Sequence, residues 1–400
     1  MMLFIYHIGS INSSWEEDTD MRPSIIGYNS TQFGELWDKS LYQLLYESVQ
    51  GLFDKTNRDI KEIDAIFYSN MLGGLLDNNL LSSGKIAELF HTHIPVYHYE
   101  SACASGGMAF QQATMYLQAN RDKNVLVIGA EKMTDVSPEK ITEALISASS
   151  GEEQSAGLTF PGLYGMIANY YLQKYLYSSE VLSYVSVKNH FHGSLNAHAH
   201  FKKKVSFEMV EQSSLVADPL RVLHCSPISD GASALLLSNK KEYLGQVKIL
   251  SSSLATDTIS LKKRTSWDSL ETTVIAGNQA FDIAGCDRKS IDVAEVHDCF
   301  SIAEIIAMED LGFCKKGEGG TKAMEYATQL GKQERLVVNS SGGLKASGHP
   351  IGATGIKQIG ELYLQLSGQA GERQVASAQY GLSHNVGGSG AVAVVSILGI

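Results

Sequence analysis

Apolar residues along this chain switch repeatedly between two periods. Between residues 36 and 53 they recur at helical spacing (Leu41, Leu44, Leu45, Val49, Leu52, Phe53), which predicts one face of an amphipathic helix. Residues 24–28, 63–69 and 96–99 are short apolar runs that predict strands. Residues 124–130, NVLVIGA, are apolar almost throughout and predict a strand buried on both faces. Residues 81–89 and 106–118 read as helices between them. This β-α-β-α-β order predicts a layered α/β protein.

Residues 131–220 break the rhythm with Gly, Ser and Tyr clusters, helical spacing near 163–176 and 180–190, and the basic run Lys202, Lys203, Lys204. They read as a large loop insertion over one end of the sheet. Residues 229–238, SDGASALLLS, return to the sheet, and a break follows at 239–245. From Val247 a second alternation begins: a strand at 293–296, helices at 301–311 and 352–366, a strand at 374–380, and a closing strand at 390–398. DGASALLLS and GSGAVAVVSIL look like one element used twice. Two related halves, 23–240 and 241–400, are therefore expected to meet at a cleft, behind an N-terminal extension at 1–22.

At 400 residues the chain exceeds one ordinary core, which fits two halves. It is 44% hydrophobic and 19% charged, and no apolar run is long enough for a membrane span. A net charge of -11 argues against a general nucleic-acid binder, which needs a basic face. An anionic substrate stays compatible, because the local field decides that. The five cysteines are odd in number and form no CxxC pair, so neither a disulfide framework nor a zinc ribbon is expected. Free thiols fit a reducing cytoplasm. The apolar start at 1–6 lacks the basic region of a signal peptide.

The candidate chemistry lies in small-residue turns. In Ser101-Ala-Cys103-Ala-Ser-Gly-Gly107 a cysteine opens a helix, and a helix N-terminus is expected to lower its thiol pKa. The competing reading is a buried structural thiol. His349 sits in the glycine-dense stretch NSSGGLKASGHPIGATG, 339–355, where it could take and return a proton. His297-Asp-Cys299-Phe300 follows a strand, and strand ends are where α/β sites gather. Residues 384–390, HNVGGSG, read as a turn offering backbone N–H groups to an oxyanion before the last strand. His190, His192, His198 and His200 have suggestive spacing but no acidic partner beside them, so no metal is expected there. The lysine run reads as a solvated face.

Taken together and in order, these motifs resemble the thiolase superfamily over about 24–398. The resemblance implies an αβαβα fold of two related halves. ACASGG around Cys103 resembles the nucleophile motif, the stretch around His349 resembles the GHP motif, and Cys225-Ser226-Pro-Ile-Ser-Asp230 resembles the segment that carries a pantetheine-contacting serine, here Ser226. HDCF at 297–300 replaces the usual Asn-Glu-Ala-Phe, and His384 stands where a late cysteine would be. That pairing, with Lys188-Asn-His190, is similar to the sterol-carrier-protein-2 type, in which the HDCF cysteine is the second thiol. Asn196-Ala197 departs from the relatives' Asn-Pro.

By resemblance, Cys103 takes the acyl group from a coenzyme A thioester, His349 accepts the thiol proton, and Cys299 moves the proton of the condensing carbon. His297 and His349 are expected to line one oxyanion hole, and the backbone N–H groups of Cys103, Val386 and Gly387 the other. The resemblance implies coenzyme A thioesters as substrates, no metal or redox cofactor, a homodimer or homotetramer, and by analogy a small zinc- and OB-fold-containing partner. Two alternatives stay open: another acyl-CoA condensing enzyme on this fold, and a non-catalytic acyl-CoA or lipid-binding protein.

Overall fold

A computed structural model of the chain describes residues 22–243, 247–328 and 336–400, so the expectations for residues 1–21 lie outside it. The strands are β1 (Ser24–Ser30), β2 (Ala65–Ser69), β3 (Val96–Tyr99), β4 (Asn124–Glu131), β5 (Leu215–Ala217), β6 (Leu220–Arg221), β7 (Gly231–Ser238), β8 (Val247–Thr256), β9 (Val293–Glu295), β10 (Val337–Val338), β11 (Tyr380–Gly387) and β12 (Val392–Gly399). Except for the small β5–β6 hairpin they form one mixed sheet, ordered β10-β9-β11-β12-β8-β1-β7-β4-β2-β3.

The internal repeat is visible in that order. In the first half β3, β2 and β4 run parallel, then β7 and β1 follow antiparallel. In the second half β10, β9 and β11 run parallel, then β12 and β8 follow antiparallel. The halves join where β1 pairs antiparallel with β8. β7 and β12 hold equivalent places, as the likeness of their sequences predicts.

Helices Ser105–Ala119 and Ile351–Leu366 lie side by side and touch strands of both halves. Leu41–Thr56 covers the outer face of the first half, and Glu271–Ala284 that of the second. This gives five layers, α-β-α-β-α. Leu41–Thr56 starts where Ser40 and Gln43 cap each other reciprocally, and it ends at Asn57 in the left-handed conformation. Its Leu44, Leu45, Val49 and Leu52 pack on Ile66, Leu126, Ile128 and Leu236. Each such side chain stabilises the layer by about 1.5–3 kcal/mol.

Glycine sets the spacing of the central pair. A Cβ on Gly355 would lie 2.2 Å from the Gly107 backbone nitrogen, and one on Gly106 would lie 2.9 Å from that of Gly355. Only a glycine-on-glycine crossing lets the first turns of both helices touch. The chain just before each of those turns carries Cys103 and His349, so this contact builds the site.

One expectation needs correction. The strand expected at 374–380 instead begins at Tyr380 and runs to Gly387, so 384–387 are strand and not turn. Ser383, His384 and Asn385 disguise it. They are polar yet buried, and the His384 and Asn385 side chains find partners inside the protein. The insertion carries the helices expected near 163–176 and 180–190 and others besides them. Pro138–Ile146, Phe160–Tyr175 and Glu180–Gly193 dominate it. Leu163, Ile167, Tyr171, Leu182 and Val185 there share one core with Phe300, Ile302, Ile305 and Leu344 of the second half.

Candidate active site

Cys103 follows Ala102, whose φ of 49° is left-handed and costs a non-glycine residue about 1–3 kcal/mol. Ser105 holds that conformation: its Oγ accepts from the Ser101 N–H at 2.8 Å and donates to the Ala102 carbonyl at 2.6 Å. The turn sets the Cys103 thiol at one wall of a cavity of about 390 Å³, lined among others by Met71, Met133, Leu145, Phe160, Ile228 and Phe300. The N–H groups of Gly388 and of Cys103 itself face the sulfur. Burial outweighs them and pushes the thiol up to about 12, so the expected helix-terminal lowering does not prevail here.

The 297–300 segment is fixed through Asp298. Its carboxylate accepts from the Leu344 N–H at 2.6 Å, the Lys345 N–H at 3.2 Å and Asn189 Nδ2 at 2.6 Å. Glu304 accepts from Lys188, Asn189 and Asn339 nearby. The Lys188-Asn189 pair singled out in the sequence therefore ties the helical insertion to both histidine loops.

Cys103 Sγ and one ring nitrogen each of His297 and His349 lie within 4.8 Å of one another. The two rings meet edge to face, centroids 5.2 Å apart. This trio is also the one group of metal-ligand spacing among the described residues. Its hydrogen bonds fit a different use, because they assign opposite tautomers to the two imidazoles. Asn385 accepts from the Gly107 N–H at 3.0 Å through Oδ1, which leaves Nδ2 to donate to the Cys103 carbonyl at 2.9 Å and to His297 Nδ1 at 3.2 Å. Nδ1 of His297 is then an acceptor, and its proton sits on Nε2. For His349, Nδ1 lies 2.7 Å from Thr354 Oγ1, whose own proton goes to the Pro350 carbonyl at 2.9 Å. Nδ1 of His349 is then the donor, and Nε2 carries a lone pair. Both Nε2 atoms are buried without a protein partner. Burial lowers the pKa of His349 to about 3, and burial with the neighbouring His349 and His384 lowers that of His297 well below its usual value. Both rings are neutral at pH 7, one a base and the other a hydrogen-bond donor.

Cys299, buried, lines the same cavity, and its thiol is raised by burial and by Cys103. Ser226 lines it too, its N–H bonded to the Cys299 carbonyl at 2.9 Å. Cys103, His297, Cys299, His349 and Ser226 are thus brought together. Val386 and Gly387 are placed otherwise: Val386 is packed in the helical insertion's core, and Gly387 lines a separate cavity. Gly388 takes the expected position against the sulfur, because the strand runs one residue further than a turn would. His384 also faces away. Its Nε2 lies 2.8 Å from Thr273 on the outer helix, and strand alternation aims Asn385 inward instead.

Asn385 is the residue that sequence reasoning missed. Once 380–387 is read as a strand, alternation puts Asn385 on the face opposite Leu382 and His384, which pack toward the outer helix. The four histidines at 190–200 serve separate partners: the Lys203 and Asn339 carbonyls, the Thr31 carbonyl, and the Ser229 hydroxyl. His190 and His200 also stack on Phe201.

Residues 24–241 match the thiolase N-terminal domain and residues 253–400 the thiolase C-terminal domain-like family. The chain is 43% identical over 380 residues to an acetyl-CoA acetyltransferase of Methanothermobacter thermautotrophicus, covering 94% of this chain and 98% of that one. It is 30% identical over 406 residues to human sterol carrier protein 2, covering 96% and 73%. Among solved structures it superposes on an Ltp2–ChsH2(DUF35) aldolase with a TM-score of 0.80 at 19% identity, covering 94% and 97%. It superposes on human mitochondrial 3-ketoacyl-CoA thiolase with a TM-score of 0.69 at 15% identity, covering 95% and 99%. No helix among the described residues is long and apolar enough to cross a membrane. Two matched domains, a duplicated five-layer fold and close relatives along the full length make this chain a member of the thiolase family.

Proposed function

We propose that the protein is an acyl-CoA C-acyltransferase that joins two acetyl-CoA molecules into acetoacetyl-CoA, or cleaves a 3-ketoacyl-CoA in reverse. The observation that carries this reading is the convergence of the Cys103 sulfur with one ring nitrogen each of His297 and His349, beside a second thiol in the same cavity. Cys103 attacks the thioester carbonyl while Nε2 of His349 takes its proton. The Nε2–H of His297 supports the developing oxyanion. Cys299 gives its proton to the departing coenzyme A thiolate. The Cys299 thiolate then removes a methyl proton from a second acetyl-CoA, and the enolate attacks the acetyl group on Cys103. The freed Cys103 thiolate recovers its proton from His349, and every proton is accounted for.

The 43% identity to archaeal acetyl-CoA acetyltransferases favours acetyl as the acyl group. Ser226 is assigned to the pantetheine arm. The cavity wall contains no lysine or arginine, so the nucleotide end of coenzyme A has to find its cations elsewhere. The DUF35 component named for the aldolase neighbour supports a DUF35-type partner here. The edge strand β3, with Tyr97, Leu80 and Leu81 exposed nearby, supports pairing with a second copy. Light scattering of the purified chain tests the last point. The activity is tested by incubating the protein with acetyl-CoA and following acetoacetyl-CoA, then repeating with 3-ketoacyl-CoAs of rising length. Acyl binding without turnover for every substrate would leave the carrier reading instead.

A further inference from the structure

Tyr164 has no role in the chemistry described so far, yet it stands between the two thiols. It comes from the insertion helix Phe160–Tyr175, is buried, and stacks on Phe300 with ring centroids 4.6 Å apart. Its hydroxyl donates to the Gly388 carbonyl at 3.3 Å. Cys299 lines the same cavity as Tyr164, and the two groups shift each other's pKa. Gly388 in turn directs its N–H at Cys103. An O–H···O bond is normally about 2.5–3.0 Å, so the hydroxyl is poorly seated on Gly388 and sits between two acceptors.

We propose that Tyr164 is a positioning residue for proton transfer at Cys299, its single hydroxyl proton turning from the Gly388 carbonyl to the Cys299 sulfur whenever that sulfur is a thiolate. This rests on the acyltransferase reading above. While Cys299 is a thiol, its S–H donates to the Tyr164 oxygen and the Tyr164 O–H stays on Gly388. When Cys299 has given its proton to the coenzyme A thiolate, the O–H swings onto the sulfur and stabilises the charge. When the thiolate takes the methyl proton, the O–H swings back. No bond to Tyr164 oxygen breaks, and the phenol stays protonated throughout. Burial and the adjacent Cys299 raise the Tyr164 pKa well above its usual value, which keeps the proton available for donation. The charged and titratable groups around this pair are Cys103 and Asp298 beside Cys299, Arg264 and Cys103 facing Tyr164, and His349 across the cavity.

The test is Tyr164→Phe, which keeps the ring and its stacking. Acetylation of Cys103, followed by rapid-quench intact mass, should slow about tenfold at unchanged KM, because the release of coenzyme A leaves Cys299 as a thiolate and that charge loses one hydrogen bond. The pH limb assigned to Cys299 should move up by about one unit. Site-specific 3-fluorotyrosine at 164, a stronger donor of the same shape, should move that limb down, and this variant decides the matter if the phenylalanine protein does not fold. An unmoved limb in the folded variants overturns the proposal, as does acetylation by the folded phenylalanine variant at the wild-type rate. A wild-type protein that neither acetylates Cys103 nor condenses acetyl-CoA overturns the acyltransferase reading itself.

Discussion

Asn385→Ala should damage both stability and the first chemical step. Asn385 is buried and makes three hydrogen bonds, two across to the first half, at the Gly107 N–H and the Cys103 carbonyl, and one within its own half, at His297 Nδ1. Alanine leaves the Gly107 N–H and the Cys103 carbonyl without this partner, at about 1–3 kcal/mol each. The sum, about 2–6 kcal/mol, is a large part of a typical stability of about 5–15 kcal/mol, but the variant should still fold at low temperature. His297 also loses the donor that keeps its proton on Nε2. Losing one oxyanion donor typically slows the reaction by about 10²–10³. Urea unfolding measures the first effect, and rapid-quench mass spectrometry of acetylation the second. Asn385→Asp separates them. Its carboxylate can still accept from Gly107, so the fold suffers less. It presents an acceptor to His297 Nδ1, which draws the proton there and turns Nε2 into an acceptor. Aspartate should therefore acetylate as slowly as alanine despite better folding. Acetylation at the wild-type rate in either variant would refute the tautomer assignment.

Further predictions concern the second thiol, the helix crossing and acid stability. Cys299→Ala should still acetylate Cys103, though more slowly because the departing thiolate loses its acid, and should lose condensation, read from product formation against adduct mass; unchanged condensation would move the base elsewhere. Gly355→Ala puts a methyl 2.2 Å from the Gly107 nitrogen and 2.4 Å from Asn385 Oδ1, so the helices must separate. The variant should lose at least about 1–3 kcal/mol and most of its activity, and a thermal melt and assay matching wild type would contradict the close crossing. Burial lowers His224, His349 and His384 to about 3. Because those values lie below the unfolded one near 6.5, the unfolded chain takes up protons first as pH falls, and stability is lost from about pH 6.5 down to about pH 3. At pH 5 each ring contributes a loss of about 2 kcal/mol. A urea midpoint that fails to drop between pH 7.5 and pH 5 would show these rings are not held neutral.

Much of this was legible in the sequence because local physics agrees with the global fold. Apolar runs such as NVLVIGA and LLYESV marked β4 and the outer helix, and the small residues around Cys103 and His349 marked the places where two backbones approach. β11 was misplaced for a specific reason. Its Ser383, His384 and Asn385 look like turn residues, and only tertiary partners such as Thr273 and Cys103 make them tolerable inside a sheet. That one error hid Asn385 and moved the expected backbone donor from Gly388 to Val386 and Gly387. The rise of the Cys103 thiol was not legible, because a helix terminus is visible in sequence whereas the apolar cavity walls that gather round the half-buried sulfur are not. Tyr164 was illegible for the same reason: nothing local connects it with Cys299, 135 residues away.

The most direct test is covalent. Wild-type protein incubated with acetyl-CoA, digested and mapped by mass spectrometry, should carry one acetyl group on Cys103, and Cys103→Ala should carry none there and make no acetoacetyl-CoA. An unmodified Cys103 under conditions that support turnover, or an acetyl group residing on Cys225 or Cys299 instead, would contradict the account.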